Sequence, residues 1–109
     1  MNYEVILSAR FKRTSKRLAK KYRSCKLDLA DVIDSLEVNL IQGSSLGRSC
    51  YKLRMAIRSQ GAGKSGEIRV ITYVVTEDEK VILPTIYDKK DKTDLEPGEL
   101  DELLNDLSE

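Results

Sequence analysis

Residues 51–69 read Tyr-Lys-Leu-Arg-Met-Ala-Ile-Arg, then Ser-Gln-Gly-Ala-Gly-Lys-Ser-Gly, then Glu-Ile-Arg. With a period of two, Tyr51, Leu53, Met55 and Ile57 share one face of a strand. Lys52, Arg54 and Arg58 share the other, with small Ala56 between them. Cations repeating about 7 Å apart along a strand face suit a chain of phosphates. The glycines at 61, 63 and 66 then interrupt the alternation, and a second apolar run begins at Ile68. Two strands joined by a flexible loop follow from that pattern.

Downstream, strands are expected at 51–58, 67–75 and 80–87, with Glu77-Asp78-Glu79 as the tight turn between the last two. Pro84 cannot donate to a ladder, so its strand must lie at an edge or carry a bulge there. Upstream, the period changes from 2 to 3.6. Tyr3 to Leu7 form a short strand, and Ser8 is placed to cap a helix over 9–22. Phe11, Leu18 and Tyr22 lie on one face of that helix. A second helix over 27–41 carries Leu29, Val32, Ile33, Leu36 and Leu40 at helical spacing, with Gly43 as its terminator. A short connection makes the two helices an antiparallel hairpin. Leu100, Leu103, Leu104 and Leu107 stripe an acidic helix over 97–106. The order β-α-α-β-β-β-α is an α+β fold, with a helical hairpin packed on a mostly antiparallel curved sheet.

The chain has 109 residues, 40% hydrophobic and 34% charged, which suits one folded domain spanning 1–109. No apolar run approaches a membrane span, and Lys12, Arg13, Lys16 and Arg17 interrupt any secretory h-region, so a cytoplasmic protein with no membrane association is expected. There is no histidine, and Cys25 and Cys50 form no CxxC pair, which argues against a zinc site. The two cysteines are either reduced thiols, as the cytosol favours, or a disulfide. Any acid–base chemistry must use Tyr, Lys, Asp or Glu. The net charge of +1 hides segregation: residues 1–26 hold nine Lys/Arg against Glu4 alone, and residues 93–109 hold seven acids and no Lys or Arg. That asymmetry fits either a polyanionic or acidic partner or a pair of solvated helix faces.

Three motifs carry candidate chemistry. Gly63-Lys64-Ser65 is no Walker A loop, because position 58 is Arg58 and a strand follows Ser65. It either presents Lys64 or is a long turn with a solvated lysine. Arg69 alternates with Ile71, Tyr73 and Val75, so it needs a carboxylate partner or a ligand on an apolar face. If its strand pairs antiparallel with 51–58, Arg69 lies near Lys52, Arg54 and Arg58. Tyr87-Asp88-Lys89-Lys90 ends the last strand, where function often sits, although Tyr87 also suits a rim aromatic.

Taken together, Tyr51-Lys52-Leu53-Arg54, the segment from Gly63-Lys64-Ser65-Gly66 to Arg69-Val70-Ile71, and Ile86-Tyr87-Asp88-Lys89-Lys90 resemble the RelE/ParE superfamily of bacterial toxin–antitoxin toxins. The likeness spans nearly the whole chain and is greatest to the RelE/HigB-type branch. It implies a ribosome-dependent endoribonuclease that cuts mRNA without a metal or other cofactor, the RNA 2′-hydroxyl attacking the adjacent phosphate. It assigns Lys52, Arg54 and Arg69 to the scissile phosphate and Tyr87 or Lys89 to acid–base work, with a pKa lowered by neighbouring cations. Arg58, Lys64, Lys90, Lys12 and Lys16 are the expected outer RNA contacts. A cognate antitoxin is implied, landing on helix 9–22 and the sheet face in a hetero-oligomer. The acidic segment 93–109 either folds over the groove or sits away from it. Two alternatives share the fold: a ParE-like gyrase inhibitor acting by binding, and an inactive relative that binds RNA or its partner.

Overall fold

A computed structural model describes residues 3–60 and 67–107. Strand β1 (Glu4–Leu7) leads into helices α1 (Ala9–Lys21) and α2 (Cys25–Val38). Strands β2 (Ser44–Gly47), β3 (Cys50–Ala56), β4 (Glu67–Val75) and β5 (Lys80–Asp88) follow, and α3 (Glu99–Leu107) closes the described chain. The five strands form one sheet in the order β1-β5-β4-β3-β2, antiparallel except for β1 against β5.

Ser8 starts α1 as the sequence indicates. Its hydroxyl accepts the Phe11 N–H and donates to the Pro84 carbonyl, fixing the helix to β5. A cap of this kind contributes about 1 kcal/mol. Phe11 and Leu18 from α1, Tyr22 at its C-cap, and Leu29 and Leu36 from α2 are buried against Leu53, Met55, Ile68, Val70, Val81, Leu83 and Ile86. The hairpin therefore covers one face of the sheet. The other face carries Lys52, Arg54, Arg69 and Tyr87, and α3 packs over part of it through buried Leu103.

Pro84 produces a bulge. Ile71 pairs with Thr85 and Tyr73 with Ile82, so two steps along β4 match three along β5. The strand is not an edge, because β1 flanks it as far as the Leu7–Leu83 pair. Pro84 comes where β1 stops.

Two expectations need correction. Helix α2 runs from Cys25 to Val38 with Asn39 as its C-cap, so Gly43 does not terminate it. Instead Gly43 (φ 87°) lies against β3, where a β-carbon would stand 2.2 Å from the Lys52 carbonyl oxygen. It leads into β2, an element the pattern does not reveal. Ser-Ser-Leu-Gly has neither alternation nor β propensity, and only pairing with Tyr51 and Lys52 makes it a strand.

Candidate functional site

The strand register builds the site. Arg54 on β3 stands opposite Arg69 on β4, and Arg69 opposite Tyr87 on β5, so the three form one row across the open face. Neighbouring strands are about 4.8 Å apart, which brings the two guanidiniums within reach of one phosphate. Lys52 is two residues from Arg54 along β3. Lys89 enters from beyond β5, its N–H donating to the Glu67 carbonyl.

Each cation already faces a carboxylate. Glu67 Oε1 lies 2.5 Å from Arg54 Nε and 3.0 Å from Arg69 Nη2, and Oε2 lies 3.9 Å from Lys89 Nζ. Oε1 is shut off from solvent, yet neither N–H is aligned on it as a hydrogen bond. Lys52 Nζ reaches Asp94 Oδ1 at 3.2 Å. Asp94 also accepts its neighbour Leu95 N–H, and that bond, with Lys52, holds its carboxyl below the usual range. The acidic segment thus does fold over the site. Lys92, bonded to both Glu99 oxygens, ties its two ends.

Tyr87 is 6% exposed, and its buried hydroxyl has no hydrogen-bond partner among the described residues. Burial pushes its pKa up, Asp94 and Glu99 add to that, and Arg69 only partly opposes it. That direction is opposite to the lowering expected from clustered cations, because burial of the phenol outweighs the one nearby arginine. Its neighbour Asp88 points to the helical side and is fully buried. It accepts hydrogen bonds from Tyr22 Oη (2.5 Å), Lys21 Nζ (3.0 Å) and the Lys90 N–H (3.0 Å). Burial alone would raise the Asp88 pKa, but these donors outweigh it and leave the carboxyl below its ordinary value. Asp88 fixes the end of β5, and with it the positions of Tyr87 and Lys89.

A family model for the RelE toxin of the RelE/RelB toxin–antitoxin system matches residues 9–107. The chain belongs to the RelE toxin family. Family membership makes it a toxin of a toxin–antitoxin system and implies an antitoxin partner. A solved structure of E. coli toxin RelE, a double arginine-to-alanine mutant in the free state, superposes with a TM-score of 0.62. It is 17% identical, covering 85% of this chain and 90% of the other, a likeness that speaks to the fold alone. No curated protein sequence matches significantly. Among the described residues, no helix of this RelE-family toxin is long and apolar enough to cross a membrane.

The outer residues expected to touch RNA fall in different places. Arg58 does not join the row. Its Nε donates to Asp28 Oδ1 at 2.5 Å and its Nη2 to Asp31 at 2.9 Å, so the guanidinium turns to α2. Asp28 is buried and also accepts the Ser24 hydroxyl and the Arg58 N–H. This pair closes the end of β3 onto the helices. Lys90 is exposed just past the site, and Lys12 and Lys16 lie on the exposed side of α1, outside the sheet face. Lys64 lies outside the described residues. Glu67 and Asp94, both within the site, are not singled out by the sequence pattern. For Glu67 a signal exists: it precedes Arg69 by two residues and so shares its face.

Beside the row, a groove of about 560 Å³ between α1 and the uncovered end of β5 is lined by Arg13 and Arg17, by Lys21 and Lys92 with their partners Asp88 and Glu99, and by Asp91. Arg10 lies at the same groove, but its guanidinium is engaged by Asp106 at 2.9 Å.

Proposed function

We propose that this toxin cleaves mRNA on the ribosome by driving the 2′-hydroxyl onto the neighbouring phosphate. The observation that supports this reading most directly is the cross-strand row of Arg54 and Arg69 on a rigid sheet. Two guanidiniums held side by side can grip the non-bridging phosphate oxygens and stabilise the charge that grows on them in the transition state. Removing one such donor costs about 10²–10³-fold in rate. Lys52 adds a third positive charge along the strand. Lys89, 44% exposed, is accessible to protonate the leaving 5′-oxygen. Tyr87 stays neutral beneath them and gives the row a hydroxyl and an aromatic edge. Arg13 and Arg17, the cations of the α1 groove for which no ion pair is seen among the described residues, offer a landing site for an acidic group of the antitoxin.

The test is induction of wild type and Arg69→Ala in growing bacteria, with primer extension on an abundant mRNA. Discrete cuts from wild type alone support the reading. Growth arrest without cuts selects the binding-only alternative, in which the target is gyrase or another protein. That alternative draws support from the carboxylate already standing beside every cation of the row.

A further inference from the structure

We propose that Glu67 is the proton acceptor of the cleavage reaction, a role that rests on the ribonuclease reading above. The chain has no histidine, so the base must be a tyrosine, lysine or carboxylate. The Tyr87 hydroxyl is buried, and that burial pushes its pKa up. Lys52 and Lys89 each face a carboxylate, and an ammonium so paired has no lone pair to offer. Asp88 lies on the helical side of the sheet, occupied by three donors. Asp94 Oδ1 is already taken by the Leu95 N–H and Lys52.

Glu67 differs from all of these in geometry. Its Oε1 is buried between Arg54 and Arg69, the two groups that would seat the phosphate, while the side chain is 25% exposed and Oε2 stands 3.9 Å from Lys89 Nζ. Oε2 is therefore the oxygen left to meet the ribose beside a phosphate seated on the two arginines. A base must come within about 2.6–3.2 Å of the atom that gives up the proton. The guanidiniums keep further N–H groups for the phosphate oxygens, since each has five donors in a planar fork.

The step balances without any added reactant. Glu67 takes the 2′-hydroxyl proton as the 2′-oxygen bonds to phosphorus. The bond from phosphorus to the 5′-oxygen breaks, and the Lys89 ammonium gives its proton to that oxygen. The products are a 2′,3′-cyclic phosphate and a 5′-hydroxyl. The proton on Glu67 then passes to Lys89, whose Nζ lies 3.9 Å from Oε2, and the starting pair is restored.

The experiment is single-turnover cleavage of a defined mRNA on programmed ribosomes by wild type, Glu67→Gln and Glu67→Asp. It is paired with affinity for the same mRNA carrying a 2′-deoxyribose at the cut position. The expected result for Glu67→Gln is a rate loss of about 10²–10⁴-fold. Affinity should be kept or tightened, because the substitution removes a negative charge beside the phosphate. Glu67→Asp should recover part of the rate. Cutting by Glu67→Gln within about threefold of wild type overturns the proposal. So does faster cutting with tighter binding, which would make Glu67 a counter-ion only. If wild type cuts nothing, the ribonuclease reading fails together with this inference. If both proteins cut equally, only the inference fails. Should Glu67→Gln not fold by circular dichroism, Glu67→Asp decides: a single-turnover rate unchanged from wild type refutes the role.

Discussion

Replacing Asp88 by Asn should destabilise the fold by an amount the hydrogen bonds allow one to work out. Asn keeps one carbonyl-type oxygen, which can still accept the Lys90 N–H now bound to Oδ1. At the Oδ2 position, the amide N–H₂ would instead meet Tyr22 Oη and Lys21 Nζ, which stand 2.5 and 3.0 Å from the carboxylate. The Tyr22 bond is buried and charge-assisted, and its loss costs about 2 kcal/mol. The Lys21 contact is half exposed and is counted as nothing. For a domain of this size, a loss of that order lowers the melting temperature by roughly 8 °C. The acid limb fixes the sign. Asp88 titrates below its unfolded value of about 3.9, so its contribution is complete above that pH. It disappears as pH falls through the lower folded value. Thermal melts of both proteins at pH 7 and pH 5 should therefore show the same gap, closing only in stronger acid. A variant melting within about 2 °C of wild type at pH 7 would refute the reasoning. A gap already closing near pH 6 would refute it too.

Two further outcomes follow from the ion pairs. Arg58→Ala should lower the melting temperature by roughly 5 °C, because buried Asp28 loses its main partner, while RNA affinity stays unchanged. Thermal melting together with filter binding checks it, and a selective loss of RNA binding would return Arg58 to the site. Asp94→Asn should tighten RNA binding by about three- to tenfold at low salt and steepen its salt dependence, since Lys52 is freed to meet a phosphate. Affinity titrations across a range of potassium chloride test this, and weaker binding by the variant would contradict it.

The alternating strands were legible because a half-covered sheet writes its two environments into every second residue. Leu53 and Met55 against Lys52 and Arg54, and Ile68 and Val70 against Arg69, separate as the pattern indicates. Helix α1 was legible for the same reason, its buried residues being the few apolar ones in a basic segment. Arg58 was misplaced because alternation ends where β3 ends. Beyond Ala56 the chain turns, and the pull of Asp28 and Asp31, far away in sequence, decides its direction. The direction of the Tyr87 shift was hidden too, because burial beneath the 92–99 segment is a tertiary effect that outweighs nearby cations. Glu67 and Asp94 went unmarked since carboxylates in a basic site look like background until the register places them among the cations.

The bulge at Pro84 sets the parity of the last strand. Before it, the odd-numbered Val81 and Leu83 face the helices; after it, the even-numbered Ile86 and Asp88 do. A straight β5 of the same length would turn Tyr87 into the core and hold Asp88 and Ile86 out beside Arg69. The missing N–H of proline disfavours that straight ladder. A residue with no functional group of its own therefore chooses which half of the Tyr87-Asp88 pair meets the outside world.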